Sequence, residues 1–141
     1  MKKIILGLAV TSTLMTTSLI NAASANDILD LKCTVTQGET RTDTFMVRPT
    51  TTLQESERLH NAGDYSARVT YFLKNPAAVT IALFLFKDDV RLSESYSSVP
   101  TDILTRDFFM RHPLGLLSVS TGTTIDNTRI DIRCFPDPNA G

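Results

Sequence analysis

From residue 28 onward, apolar and polar side chains alternate with a period of two over most of the chain. That spacing sends successive side chains to opposite faces of a β-strand. Leu29, Leu31, Cys33 and Val35 alternate with Asp30, Lys32 and Thr34, which predicts a strand over 28–35 and a turn at Gln37-Gly38. A second strand runs from Thr42 to Arg48, with Phe45 and Val47 on one face, and stops at Pro49. In a third, Tyr65, Ala67, Val69, Tyr71 and Leu73 oppose Ser66, Arg68 and Thr70, and Asn75-Pro76 supplies the turn. The stretch Ala78 to Phe86 is apolar on both faces: Val79, Ile81, Leu83 and Leu85 on one, Ala82, Phe84 and Phe86 on the other. Such a strand sits centrally in a sheet or lines a cavity. Lys87-Asp88-Asp89 is a tight polar turn, and Val90 to Tyr96 pairs back with Val90, Leu92 and Tyr96 on one face. Two strands close the chain: Leu116 to Thr121, turning at Gly122, and Thr128 to Phe135, with Thr128, Ile130, Ile132 and Cys134 on one face.

Two stretches break this period. Thr52 followed by Glu55 is a capping-box pattern, and Gly63 suits a helix stop, so a short helix is expected from about Leu53 to Asn61. A polar loop is the alternative, since only Leu53 and Leu59 are apolar there. Ser97 to Asp102, interrupted by Pro100, reads as a loop. Thr101 or Asp102 then caps a short helix that runs to about Arg111 and ends before Pro113. The fold class that follows is all-β and mainly antiparallel: a small barrel or sandwich of about seven strands with one or two short helical insertions. The tail from Pro136 to Gly141 is expected to be disordered.

The N-terminus follows a different pattern. Lys2 and Lys3 precede the apolar run Ile4 to Val10, which continues more weakly to Ile20 and ends at Ala23-Ser24-Ala25. This is the three-part layout of a secretory signal peptide over residues 1–25, with cleavage after Ala25 and a cut after Ala22 as the second choice. Hydroxyl residues thread the apolar run, so it is a poor membrane anchor. Removing 25 of the 141 residues leaves 116, enough for one domain over 26–135. With Lys2 and Lys3 gone, 12 basic residues remain against 15 acidic ones, a net charge near −3. Without a basic run the domain has no footprint for nucleic acid or for anionic lipid.

The only two cysteines, Cys33 and Cys134, lie near the two ends of this domain, each on the apolar face of its strand. In an exported chain an even cysteine count predicts a disulfide, here one closing nearly the whole domain, in a periplasmic or secreted protein. Candidate catalytic chemistry is sparse. His60 and His112 have no metal-ligand spacing, no serine stands in a nucleophile elbow, and six glycines form no phosphate loop. Asp88-Asp89 reads as turn residues rather than as a carboxylate pair. No cofactor and no enzymatic activity is expected.

Arg129 and Arg133 share one face of the last strand, either as an anion site or, as we favour, flanking Asp131 and pairing with Asp30. In Phe108-Phe109-Met110-Arg111, aromatic residues, methionine and arginine, which are enriched at binding surfaces, stand in a row. This is the candidate protein-binding segment, the alternative being a plug that caps one end of the core. In outline, an exported β domain bridged from first to last strand is similar to bacterial periplasmic lysozyme inhibitors. Their Ser-Gly before a tyrosine has no counterpart here, where Ala62-Gly63-Asp64-Tyr65 stands instead, and the likeness stops at architecture. The expected function is a non-enzymatic binding module that recognises another protein, as an inhibitor or accessory factor; the rival is a carrier of a small apolar ligand or lipid. The leader assignment is checked by mass spectrometry of the exported chain, which should begin at or near Asn26; retention of Lys2 and Lys3 would refute it.

Overall fold

The computed structural model describes residues 28–52, 57–112 and 117–139; the expected leader lies outside them. Eight strands are present among these residues: β1 (Leu31–Gln37), β2 (Thr40–Val47), β3 (Glu57–Ala62), β4 (Tyr65–Asn75), β5 (Ala78–Lys87), β6 (Val90–Pro100), β7 (Val119–Ile125) and β8 (Thr128–Pro136). A 3₁₀ turn at Thr101–Leu104 and one helix, α1 (Arg106–Arg111), connect β6 to β7. The strands form two four-stranded antiparallel sheets, ordered β2-β1-β8-β7 and β3-β4-β5-β6, so the fold is a sandwich rather than a closed barrel.

The period-two pattern builds the core directly. Leu31, Cys33 and Val35 of β1, Ile130, Ile132 and Cys134 of β8, Ala67, Val69, Tyr71 and Leu73 of β4, and Val79, Ile81, Leu83 and Leu85 of β5 are all buried in one cluster. Tyr71 is wholly buried and donates its hydroxyl to the Leu29 carbonyl at 2.8 Å, which satisfies its one polar atom and ties the entry of β1 to the opposite sheet. Burial pushes its phenol well above the ordinary range. Cys33 and Cys134 are bonded and stand opposite each other in the β1–β8 ladder, Cα atoms 4.1 Å apart and 101 residues apart in sequence. A bonded cysteine pair is the form expected of a chain in an oxidising compartment.

Several expectations are corrected. The helix over 53–61 is overturned by β3, which covers Glu57–Ala62; residues 53–56 lie outside the described residues. Gly63, at φ +63°, starts a two-residue turn that sets Ala62 opposite Tyr65, and the ladder runs on to Glu57 opposite Thr70. Pairing with a long neighbouring strand supplies the backbone with partners that two isolated leucines on a short helix do not. Ser97 to Pro100 is not a loop but the end of β6, in register with Ile81 to Ala78. Pro100 is tolerated there because β6 is an edge strand, where a missing N–H need break no ladder bond.

The closing hairpin turns at Asp126-Asn127, both at positive φ, and not at Gly122, which lies inside β7. A Cβ at Gly122 would stand 2.6 Å from both the Asp131 Cβ and the Ile130 carbonyl, so the glycine serves close approach and not a turn. Asp88 and Asp89 also sit at positive φ (51° and 62°), forming the β5–β6 hairpin turn expected of them. The tail is partly held: Pro136 belongs to β8, the Asp137 N–H donates to the Asp30 carbonyl, and Arg106 donates to the Pro138 carbonyl.

Because the bond closes a loop of about 100 residues, the chain-entropy ceiling on its contribution is roughly 4–5 kcal/mol. Replacing both cysteines by alanine should lower the unfolding free energy by about 2–4 kcal/mol in urea titration. An unchanged midpoint would show that the β1–β8 ladder alone closes the domain.

Candidate functional site

The stretch from Thr101 to Arg111, which follows β6, is anchored to the sandwich before it reaches α1. Leu104 is fully buried and its carbonyl accepts from the Leu29 N–H at 2.9 Å, while Thr101 donates its hydroxyl to the Pro76 carbonyl at 2.7 Å. Thr105 forms a bridge with Ile28 and caps α1, its Oγ1 accepting from the Phe108 N–H at 3.3 Å. The helix therefore starts later than expected, with Thr105 and not Thr101 or Asp102 as its cap. Thr101 is instead occupied in holding the 3₁₀ turn to the β4–β5 connection.

No residue of α1 is buried. Met110 is 78 % exposed, and Phe108 and Phe109 are half-buried. Phe108 lies against the ring of His112 (4.5 Å between centroids) and edge-on to Phe109 (6.5 Å). Arg111 is exposed and pairs with Asp107 one turn earlier at 3.1 Å. The four candidate residues thus share one short helix, and the closing of this end of the core falls to Leu104 and Ile28 instead.

A second surface had no place among the candidate residues. On the solvent side of β3-β4-β5-β6, where a sandwich ordinarily presents polar residues, stand Phe84, Phe86 and Tyr96. Phe84 meets Tyr96 edge-to-face at 5.5 Å and Phe86 at 6.4 Å, and the Arg68 guanidinium lies 5.0 Å over the Phe86 ring. Tyr96 is 65 % exposed; its hydroxyl donates to Glu94, which also pairs with Arg91 at 3.0 Å. The signal for this cluster was present in the sequence as the second apolar face of Ala78 to Phe86. That face is explained by a central strand position under an outer aromatic layer, with Phe84 and Phe86 turned away from the interior.

The β8 arginines divide. Arg129 Nε lies 3.8 Å from Asp131, as expected, but Asp30 pairs with Arg48 (3.9 Å) and not with β8. Asp30 lies just before β1, next to the end of β2 that carries Arg48, whereas Arg133 stands opposite Thr34 farther along the ladder.

One polar contact joins the two sheets at their β2 and β3 edges. His60 Nε2 donates to Asp43 Oδ2 at 2.5 Å while its ring stacks on Phe45 with centroids 4.2 Å apart. The His60 hydrogen bond, and after it the Thr44 N–H, hold the Asp43 carboxyl below its ordinary range. Among the described residues, no group of three or more His, Cys, Asp or Glu side chains is placed to hold a metal ion, and no helix is long and apolar enough to cross a membrane. No protein-family model, curated protein or solved structure matches the chain.

A carboxyl held low in the folded state stabilises it above the ordinary value of 3.8 and stops doing so as pH falls through the lower folded value. Asp43→Asn should therefore be less stable than the parent at neutral pH, and the two urea midpoints should converge in strong acid. A gap that stays constant with pH would show that the carboxylate does not clip the sheets.

Proposed function

We propose that the chain is an exported, non-enzymatic binding module of the periplasm or the cell exterior. It recognises another protein through α1, as an inhibitor or accessory factor. The observation that carries this reading is the presentation of Phe108, Phe109, Met110 and Arg111 on a capped, anchored helix, with Met110 and Arg111 exposed and both phenylalanines only half-buried. A helix of six residues is not stable alone, and neither phenylalanine belongs to the core cluster. Aromatic, methionine and arginine side chains on a connection fixed to a rigid β scaffold are the composition and setting of recognition surfaces. The three-part leader and the disulfide support an oxidising destination.

The rival reading, a carrier of a small apolar ligand, drew on the doubly apolar strand. Phe84 and Phe86 turn away from the interior, which lends that reading less support than the α1 surface lends protein recognition. The test begins with capture of a partner from periplasmic extract on the immobilised disulfide-bonded domain. Met110→Ala and Phe108→Ala should each weaken binding of the captured protein by about 1 kcal/mol or more in calorimetry, with thermal stability retained. Unchanged affinity in both variants would remove α1 from the interface.

A further inference from the structure

The outer face of β4-β5-β6 carries an order of charge and ring that is complementary to itself. Across the strands, Arg68 of β4 stands opposite Phe84 of β5, and Phe84 opposite Glu94 of β6, so one row reads cation, aromatic ring, anion, the anion also pairing with Arg91 of the next row at 3.0 Å. The neighbouring rows are Thr70, Ala82, Tyr96 on one side and Ser66, Phe86, Arg91 on the other. Beyond the first of these come Phe72, Thr80 and Ser98.

We propose that this face is the seat of a second copy of the same chain, packed about a two-fold axis that runs along β5 between the two faces. Such an axis exchanges the β4 side of one copy with the β6 side of the other and leaves β5 over β5. Each Arg68 then falls opposite the other copy's Glu94, Phe84 meets Phe84, and Phe86 meets Phe86. Ser66 lies opposite Arg91 and Thr70 opposite Tyr96, pairs that hydrogen-bond and do not repel.

The other in-plane two-fold, perpendicular to the strands, sets Arg68 against Arg68 and Glu94 against Glu94. The charge order therefore selects the first axis. Strands of the two copies then run within about 30° of each other, the usual relation of two sheets packed face to face.

The face is three strands wide, about 14 Å, and the four rows extend about 24 Å along the strands. That is about 340 Å² a side, well below the roughly 800 Å² a side of a standard stable interface, so the dimer is a weak, concentration-dependent one. Its burial covers the aromatic rings that a lone sandwich leaves in water.

Sedimentation velocity on the disulfide-bonded chain over a concentration series tests this, with circular dichroism confirming that each variant is folded. The parent should pass from monomer to dimer with rising concentration. Arg68→Glu and Glu94→Arg, taken singly, should each weaken self-association at least about tenfold, because each sets like charges opposite one another. An equimolar mixture of the two variants should dimerise again. In the mixed pair the introduced glutamate of one copy meets the introduced arginine of the other, and the remaining Arg68 meets the remaining Glu94. If Arg68→Glu does not fold, Glu94→Arg on the exposed edge strand decides alone by losing or keeping the dimer. A parent that stays monomeric at all concentrations, a folded variant that associates like the parent, or folded variants that fail to rescue each other would each overturn the proposal.

Discussion

The β1–β8 ladder, seven pairs from Leu31 opposite Pro136 to Gln37 opposite Ile130, is the contact on which the first sheet depends. Without it, β1–β2 and β7–β8 are separate two-stranded ribbons, and an isolated ribbon is marginal in water. Joined, they make a four-stranded sheet wide enough to cover the inner face of the β3–β6 meander. The Cys33–Cys134 bond also fixes the register of this ladder. A slip by one residue would turn either Leu31 and Val35 of β1 or Ile130 and Ile132 of β8 out of the core, and the bond forbids it. Polar links from this side to the opposite sheet, among them the Tyr71 hydroxyl on Leu29, His60 on Asp43 and the Thr50 backbone on Tyr71 and Leu73, act on a geometry the ladder has already set.

How much of this was legible in the chain depends on where the physics is local. Alternation over β1, β4 and β8 is local, because a half-buried strand shows its buried face at every second residue; β4 and β8 emerged within two residues of their true bounds, and β1, expected over 28–35, runs from Leu31 to Gln37. The β3 segment did not, because its strand character comes from its neighbour: Arg58, His60 and Asn61 are polar, and only the ladder with β4 makes the stretch extended. The serines of β6 misled in the same way, since Ser97 and Ser98 read as loop until the length of β5 is known to draw them into register. Gly122 read as a turn because a sequence does not show which side chain will lie against it; here that is Asp131.

For the candidate surfaces, the row from Phe108 to Arg111 was visible because four such residues stand together, and they do share one helix. The outer layer of Phe84, Phe86 and Tyr96 was visible only in part. Tyr96 and Arg68 lie on other strands, and antiparallel registers alone bring them beside Phe84 and Phe86. The two surfaces are also related in space. The turn that leads to α1 is fastened where β5 begins, through Thr101 to Ala77, so a dimer about an axis along β5 carries both helices at the same end. A partner with two copies of its own site would then be held by both, and effective concentration would strengthen attachment without any new contact.

The two sheets differ in how soon they can form as the chain is made. The sheet β3-β4-β5-β6 links strands in sequence order, and each can pair with its predecessor as it appears. In the other sheet β1 has only β2 to pair with until the last strand arrives, and Cys33 precedes its partner by 101 residues. Over that interval Cys33 is a free thiol on an unfinished sheet edge. As the chain holds no third cysteine, no wrong bond within one molecule is open to it, and the competing reaction is with another molecule's thiol. Dilution, more than the reshuffling of mismatched bonds, is then what protects its oxidative maturation.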